Sequence, residues 1–276
     1  MSWEEAVLWL RSQPEQAELV KACYYDDPIE IAASRFTASA EFAELLNIAR
    51  LKPNSKILDF GAGRGIASFA FASHGHHVTA LEPDPSDLVG RGCIEQLRER
   101  TKVNIHIYSD SAESISAIDN SLDLAYCRAA LHHANSLQKV CQEVFRSLKP
   151  GGLFIGTREH VISRKSDLSD FLESHPLHNL YGGEMAYELT DYITNIRSAG
   201  FRMIDVLGPR QTLINAFPRN ADSLKYEATA YLANRFGRSG ALVSRWPLVR
   251  KAVLKRLDRH DQTPGRLYTF IAVKPK

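Results

Sequence analysis

Cysteine is scarce: 276 residues hold four, Cys23, Cys93, Cys127 and Cys141, widely spaced and with no C-x-x-C pair. They read as reduced, mostly buried small hydrophobes, which excludes a disulfide framework and a cysteine zinc site. Long apolar runs are missing too, so no segment is expected to cross a bilayer. Met1-Ser2-Trp3-Glu4-Glu5 lacks the basic start and apolar centre of a secretory signal, and the expectation is a cytoplasmic protein. Internal repeats and low-complexity tracts are absent. Net charge is small, at +2, but unevenly spread. Residues 209–264 carry 11 Lys and Arg against 4 Asp and Glu, a net +7, which leaves −5 for the rest. With 44% apolar residues the chain can bury a substantial core without a disulfide or metal, as one large α/β domain with decorations.

What is present is a rhythm of β-branched, apolar runs alternating with helical patterns from Lys56 onward, the sign of βαβ units and a parallel sheet covered on both faces. Strands are expected at 56–60, 77–81, 103–108, 122–127, 152–157, 201–207 and 267–273. Helices are expected at 85–100, 137–148 and 190–199. Upstream, 3–11, 14–23 and 34–49 have amphipathic helical spacing, interrupted by the turn residues Tyr24-Tyr25-Asp26-Asp27-Pro28.

The first strand runs into Asp59-Phe60-Gly61-Ala62-Gly63-Arg64-Gly65, a glycine turn that opens a helix. Glycine there lets backbone approach a ligand closely. The spacing is G-x-G-x-G, whereas a dinucleotide fingerprint is G-x-G-x-x-G, which ranks a nicotinamide oxidoreductase low. Asp59 beside the first glycine would repel a pyrophosphate and suits a ligand with an ammonium and a sulfonium. The second strand ends in Glu82-Pro83-Asp84, and an acidic strand end about twenty residues after a glycine loop can accept from both ribose hydroxyls.

Asp59–Gly65, Glu82, Asp119-Asn120-Ser121-Leu122-Asp123-Leu124, Leu131-His132-His133, Leu148-Lys149-Pro150-Gly151-Gly152 and Ser198-Ala199-Gly200-Phe201 follow in one order. Together they resemble the class I S-adenosylmethionine-dependent methyltransferases of small-molecule type, including those of quinone biosynthesis. The resemblance covers roughly residues 40–208. It implies a doubly wound, mostly parallel seven-stranded sheet of order 3-2-1-4-5-7-6 whose last strand is antiparallel. On this reading 1–50 is a helical lid, 51–208 with 265–276 the core, and 209–264 an insertion within the terminal hairpin.

The same resemblance implies that Asp59, Gly61, Ala62, Gly63 and Gly65 surround the methionine part of S-adenosyl-L-methionine, Glu82 holds the ribose, and Pro83 and Asp84 flank the adenine. Where the family usually has Gly-Asp-Ala, this chain has Asp110-Ser111-Ala112, so Ser111 or Asp110 takes the adenine amino group, with Ala112 beside it. Cys127 and Arg128, at a strand's carboxyl end, are expected beside the cofactor. Arg64 either pairs with the cofactor carboxylate or is an exposed helix-start arginine.

Methyl transfer from a sulfonium needs mainly alignment, with a base for hydroxyl or acidic carbon acceptors. His133 and His160 are the base candidates. Tyr25, Arg158, His178, Tyr181 and Glu184 are the expected acceptor contacts, and Tyr24, Tyr25 and Arg35 are lid candidates with surface packing as the alternative. A metal on His175, His178 and Glu184 is the weaker reading of the 175–184 loop, because His-x-x-His in a loop is only suggestive, so no metal is assigned. In 246–260, Val249, Val253 and Leu257 share one helical face and Lys251, Lys255 and Arg259 nearly the opposite one. That basic face either is simply solvated or attracts a phosphorylated or carrier-linked acceptor or an anionic membrane. Few aromatics and no legible RNA-binding module speak against nucleic acid. An RNA or protein methyltransferase, and a non-catalytic S-adenosylmethionine-binding protein, remain as alternatives.

Overall fold

The computed structural model describes residues 1–115, 119–216 and 219–276. Its sheet is built from β1 (Lys56–Phe60), β2 (His77–Leu81), β3 (Ile105–Tyr108), β4 (Leu122–Arg128), β5 (Leu148–Ile162), β6 (Tyr187–Glu188), β7 (Arg202–Leu207) and β8 (Arg266–Val273). The main path is β3-β2-β1-β4-β5-β8-β7, with β6 paired to β5 alone. β8 is antiparallel to both β5 and β7; the other pairings are parallel. This is the expected order with one two-residue strand added.

β1 shows how the period of two builds both faces. Ile57 enters one apolar cluster, with Phe36, Phe42, Phe71 and Tyr126, under helices 29–37, 40–49 and 66–73. Leu58 and Phe60 enter the opposite cluster, with Phe154, Phe201 and Phe270, under helices 137–147 and 189–198. Asp59, in phase with Ile57, is a carboxylate in a core position, 2% exposed.

Several element boundaries differ from expectation: β5 begins at Leu148, β3 at Ile105, and 14–23 divides into a 3-10 turn at Pro14–Gln16 and a helix at Ala17–Ala22. Three further differences have a local reason. The 34–49 helix is two helices, Ile29–Thr37 and Ala40–Ala49, because the Ser39 hydroxyl accepts from Phe42 N and starts a new helix. The 85–100 helix begins only at Arg91, since Ser86 N donates to the Asp84 carboxylate and Leu88 N and Val89 N to the Ser86 hydroxyl, which holds 84–89 in turns. β5 runs five residues past Thr157, with Arg158 at φ 58 breaking its register with β8 between Gly156 and Glu159. On neighbouring β4, Ala129 just past the strand end has φ 52. Two strand ends therefore bend side by side.

The insertion holds helices Leu213–Ala216, Ala221–Val243 and Pro247–His260. The last two pack Ala228 and Leu232 against Val253, with Val249 and Leu257 half-buried, so the apolar stripe read from sequence faces the other helix. Arg210 fastens the base of this hairpin through ion pairs to Glu227, Asp258 and Asp261. Three of the insertion's four acids are thereby spent on one buried arginine.

Candidate functional site

A cavity of about 810 Å³ lies beyond the carboxyl ends of β1, β2, β4 and β5. Its floor is the glycine turn. Gly61, Gly63 and Gly65 have φ of 61, 53 and 76. A side chain at Gly61 would also put its Cβ 2.6 Å from that of Ala130, so both backbone and space demand glycine there. Glu82, 8% exposed, is clamped at the end of β2: Gly63 N donates to Oε2 (2.7 Å) and Asp84 N to Oε1 (3.0 Å). Each oxygen keeps lone-pair capacity toward the cavity. Asp59 accepts from the Ser68 hydroxyl at 2.6 Å, and burial raises its carboxyl to about 7.

Ala62, Pro83, Asp84, Ser111, Ala112 and Arg128 also line the cavity. Gly65 and Cys127 do not. Gly65 faces Ile94, and Cys127 is fully buried in the core with its thiol 3.6 Å from Glu159. The pleat explains the error for Cys127, since consecutive residues at a strand end point to opposite faces and only Arg128 turns to the cavity. Arg64 lines the cavity but is not the exposed helix-start arginine of the second reading. It is 6% exposed and donates to Tyr24 O, Asp26 O and Asp27 Oδ1, so it ties the 24–27 turn to the glycine loop. Arg35 pairs with Asp26 at 2.6 Å in the same turn, Tyr24 packs edge-on to Phe36, and Tyr25 lines the cavity.

The other end of the cavity is lined by Arg158, His133, His160, His178, Tyr181 and Glu184. Beneath them lies a buried chain of polar groups. His132, 1% exposed, reaches Glu159 through Nδ1 (2.8 Å) and Glu184 through Nε2 (3.0 Å). Burial opposes a charged ring, but the two carboxylates outweigh it and raise His132 to about 9. Glu159, 0% exposed, also accepts from Ala130 N and His132 N. His133 is lowered to about 4 by burial and by His132, and burial with the same neighbour pushes His160 well below the ordinary histidine value. Both base candidates are therefore neutral near pH 7.

Sequence reasoning singled out the histidines but missed Glu159 as their partner and Glu41 altogether. Glu41 sits on helix 40–49 and grips Arg128 with both oxygens, at 2.7 and 3.2 Å, with Arg158 Nη1 at 4.0 Å. Its one signal was a carboxylate on an otherwise amphipathic helix, and nothing local says it meets two strand ends. His175 accepts from Leu177 N and starts helix 176–181, so it is occupied as a cap.

A family model described as "Methyltransferase domain" matches residues 58–156, from β1 through most of β5. The chain carries a class I S-adenosylmethionine-dependent methyltransferase domain. Sterol 24-C-methyltransferase ERG6B of Gibberella zeae is 28% identical over 205 residues, 68% of this chain and 52% of that protein. Malonyl-[acyl-carrier protein] O-methyltransferase of Chlorobium phaeovibrioides is 27% identical over 184 residues, 64% of this chain and 65% of that one. Among solved structures, Haemonchus contortus phosphoethanolamine N-methyltransferase 2 in complex with S-adenosyl-L-methionine superposes with a TM-score of 0.56 at 18% identity, covering 94% of this chain and 60% of that chain. The chain spans about half the length of the first curated relatives it matches.

The methyltransferase domain's own residues fit the cofactor. A carboxylate held by two backbone amides, a glycine turn with no room for Cβ at Gly61, and a buried carboxyl that is negative once ionised lie along one wall. These are complementary to a ribose, to close backbone approach and to an ammonium. When bound, S-adenosylmethionine supplies the electrophilic methyl group. No helix among the described residues is long and apolar enough to cross a membrane.

Proposed function

We propose that this protein transfers the methyl group of S-adenosylmethionine to oxygen, carbon or nitrogen of a small or carrier-linked acceptor seated at the histidine-rich end of the cavity. The observation that supports this best is that one cavity contains both the Gly61–Gly63–Glu82 wall and the His133–His160–Glu184 end. Donor and acceptor would meet inside one enclosure, and alignment of this kind supplies much of a methyl-transfer rate. His133, with 37% side-chain exposure, and His160 are neutral, and as burial and His132 hold their basicity down, either would take a proton only from an acceptor that is itself acidified. Arg158, His178, Tyr181, Glu184 and Tyr25 would contact the acceptor, and residues 1–50 would act as the lid. Sterol and acyl-carrier-linked substrates of the named relatives suggest where to begin.

The test is calorimetric titration with S-adenosylmethionine, followed by incubation with a panel of sterols, thiols and acyl-carrier thioesters read by mass. One-to-one binding and the mass gain of a methyl group on an acceptor are expected. No binding by folded protein would overturn the proposal, and binding without transfer to any acceptor class would favour a cofactor-binding protein.

A second reading concerns the insertion, which we propose contacts an anionic membrane surface. Leu242, Trp246 and Leu248 are 60%, 66% and 82% exposed, beside Phe236 at 57%. Exposed Arg235, Arg238, Arg245 and Lys251 stand within the same stretch of sequence, while Glu227, Asp258 and Asp261 are engaged by Arg210. Apolar and aromatic groups amid cations are the signature of an interfacial contact. Flotation with vesicles containing phosphatidylserine should retain the protein, and a Trp246→Glu, Leu248→Glu pair should abolish this. Equal retention by neutral vesicles, or by the double variant, would refute the contact.

A further inference from the structure

In the polar chain beneath the acceptor end, one carboxylate oxygen has no hydrogen-bond partner among the described residues. Glu184 is 6% exposed, and its Oε2 is buried without a hydrogen bond, while Oε1 takes His132. Three further histidines turn toward this carboxylate. His133 Nε2 lies 3.7 Å from Oε2, His178 Nε2 lies 3.9 Å from Oε1, and the His160 ring meets that of His132 edge to face, with centroids 4.8 Å apart.

The tautomers follow from the hydrogen bonds. His160 Nδ1 meets Gly265 O at 2.9 Å and His178 Nδ1 meets Phe171 O at 3.1 Å. A carbonyl only accepts, so each Nδ1 carries hydrogen and each neutral ring keeps its Nε2 lone pair. His132 donates Nδ1–H to Glu159. Fixing the far ring nitrogen on a carbonyl or carboxylate is the usual support of a metal-binding histidine, because it orients the ring and raises its basicity. One donor atom each from His132, His160 and Glu184 lies within 4.8 Å of the others.

We propose that His132, His160 and Glu184 bind a divalent transition-metal ion at the acceptor end of the cavity. Two imidazoles and a carboxylate suit zinc or iron(II) and leave coordination positions open. On binding, the Nε2 proton that His132 now donates to Glu184 leaves to solvent, and the ion takes its place between the two residues. The Nδ1–H to Glu159 stays. Glu184 Oε2, buried and without a hydrogen bond, is a second oxygen on the same carboxylate that could share the ion. A small contraction is needed, since metal ligand atoms about 2.1 Å from one ion lie closer together than 4.8 Å.

Resting on the methyl-transfer reading above, this names the acceptor's reactive group. A hydroxyl or thiol would coordinate the ion, lose its proton at neutral pH and present an oxygen or sulfur anion to the methyl group. The sulfur–methyl bond of the donor breaks as the new bond forms, and the proton goes to His133 or solvent. Amine and carbon acceptors gain little from such an ion.

Chelator-stripped protein titrated by calorimetry with Zn²⁺ or Co²⁺ alone should bind about one equivalent. Glu184→Gln and His160→Gln should each weaken binding at least tenfold, with circular dichroism reporting that the variants are folded. His175→Gln should leave metal binding unchanged. No stoichiometric binding by the parent protein, or full binding by Glu184→Gln, overturns the site. Loss in His175→Gln with retention in His160→Gln would put the ion on the 175–184 loop, and overturns it too. S-adenosylmethionine binding is measured on the same samples: its absence would remove the methyl-transfer reading while leaving the metal result intact.

Discussion

Replacing Glu82 with alanine should weaken S-adenosylmethionine binding by about 3 kcal/mol, more than a hundredfold in Kd. The carboxylate stands at the end of β2 with one oxygen on Gly63 N and the other on Asp84 N. On the proposed reading alanine removes two charged acceptors for the ribose; it also releases the glycine loop and the 83–84 turn that they hold. Glu82→Gln keeps one acceptor and should lose less. Calorimetry decides it: parent-like affinity in Glu82→Ala would remove Glu82 from the ribose site. The same titration carries a pH dependence. Burial raises Asp59 to about 7, and the form that attracts the cofactor's ammonium is the carboxylate. Affinity should therefore fall as the pH drops below about 7 and strengthen above it, while Asp59→Asn should be weak and flat across that range.

The second large effect is on stability. Glu159→Ala should destabilise the protein by about 3–5 kcal/mol, because Glu159 is fully buried and is the acceptor for Ala130 N, His132 N and His132 Nδ1. Removing it leaves two buried amides and His132 Nδ1 without their acceptor, and the imidazolium with Glu184 as its one carboxylate partner. At about 2–4 °C per kcal/mol for a chain of this order of size, the melting temperature should fall by about 10 °C. A Glu159→Gln variant keeps an acceptor oxygen at the site and should lose less. A melting temperature within 2 °C of the parent, by about the same scale, would mean that the network contributes little.

Most of the cavity wall formed by Asp59, Gly61, Gly63 and Glu82 was legible in the sequence because it is local. Asp59 to Gly65 is one turn, and Glu82 follows one βα unit later in a fixed relation to it. The acceptor end was legible only as a list of suspects. Glu159 was passed over because its role depends on the break at Arg158 in β5, which turns it onto the end of β4. Glu41 was invisible because its partners Arg128 and Arg158 lie about ninety and about one hundred and twenty residues away, beyond any local periodicity. The insertion's apolar stripe was read correctly as a helix face, but its partner was not, since Val253 packs on Ala228 and Leu232 within the same insertion. Its exposed Trp246 and Leu248 lie off that stripe and gave no periodic signal.

The placing of β8 has a consequence for assembly. This strand sits between β5 and β7, yet the 209–264 insertion separates it from β7 in the chain. Closing so long a loop adds little to the equilibrium cost, which grows only with the logarithm of its length. The timing is another matter. Until β8 arrives, β5 and β7 each present an unpaired edge across an empty slot, and Phe270 and Ile271 are missing from the clusters on the two faces of the sheet. Non-local closure of this kind is slow, and its open edges favour pairing between chains. The protein's aggregation hazard therefore lies in the interval before its last strand is seated, and refolding yield should depend on protein concentration more than on the stability of the finished fold.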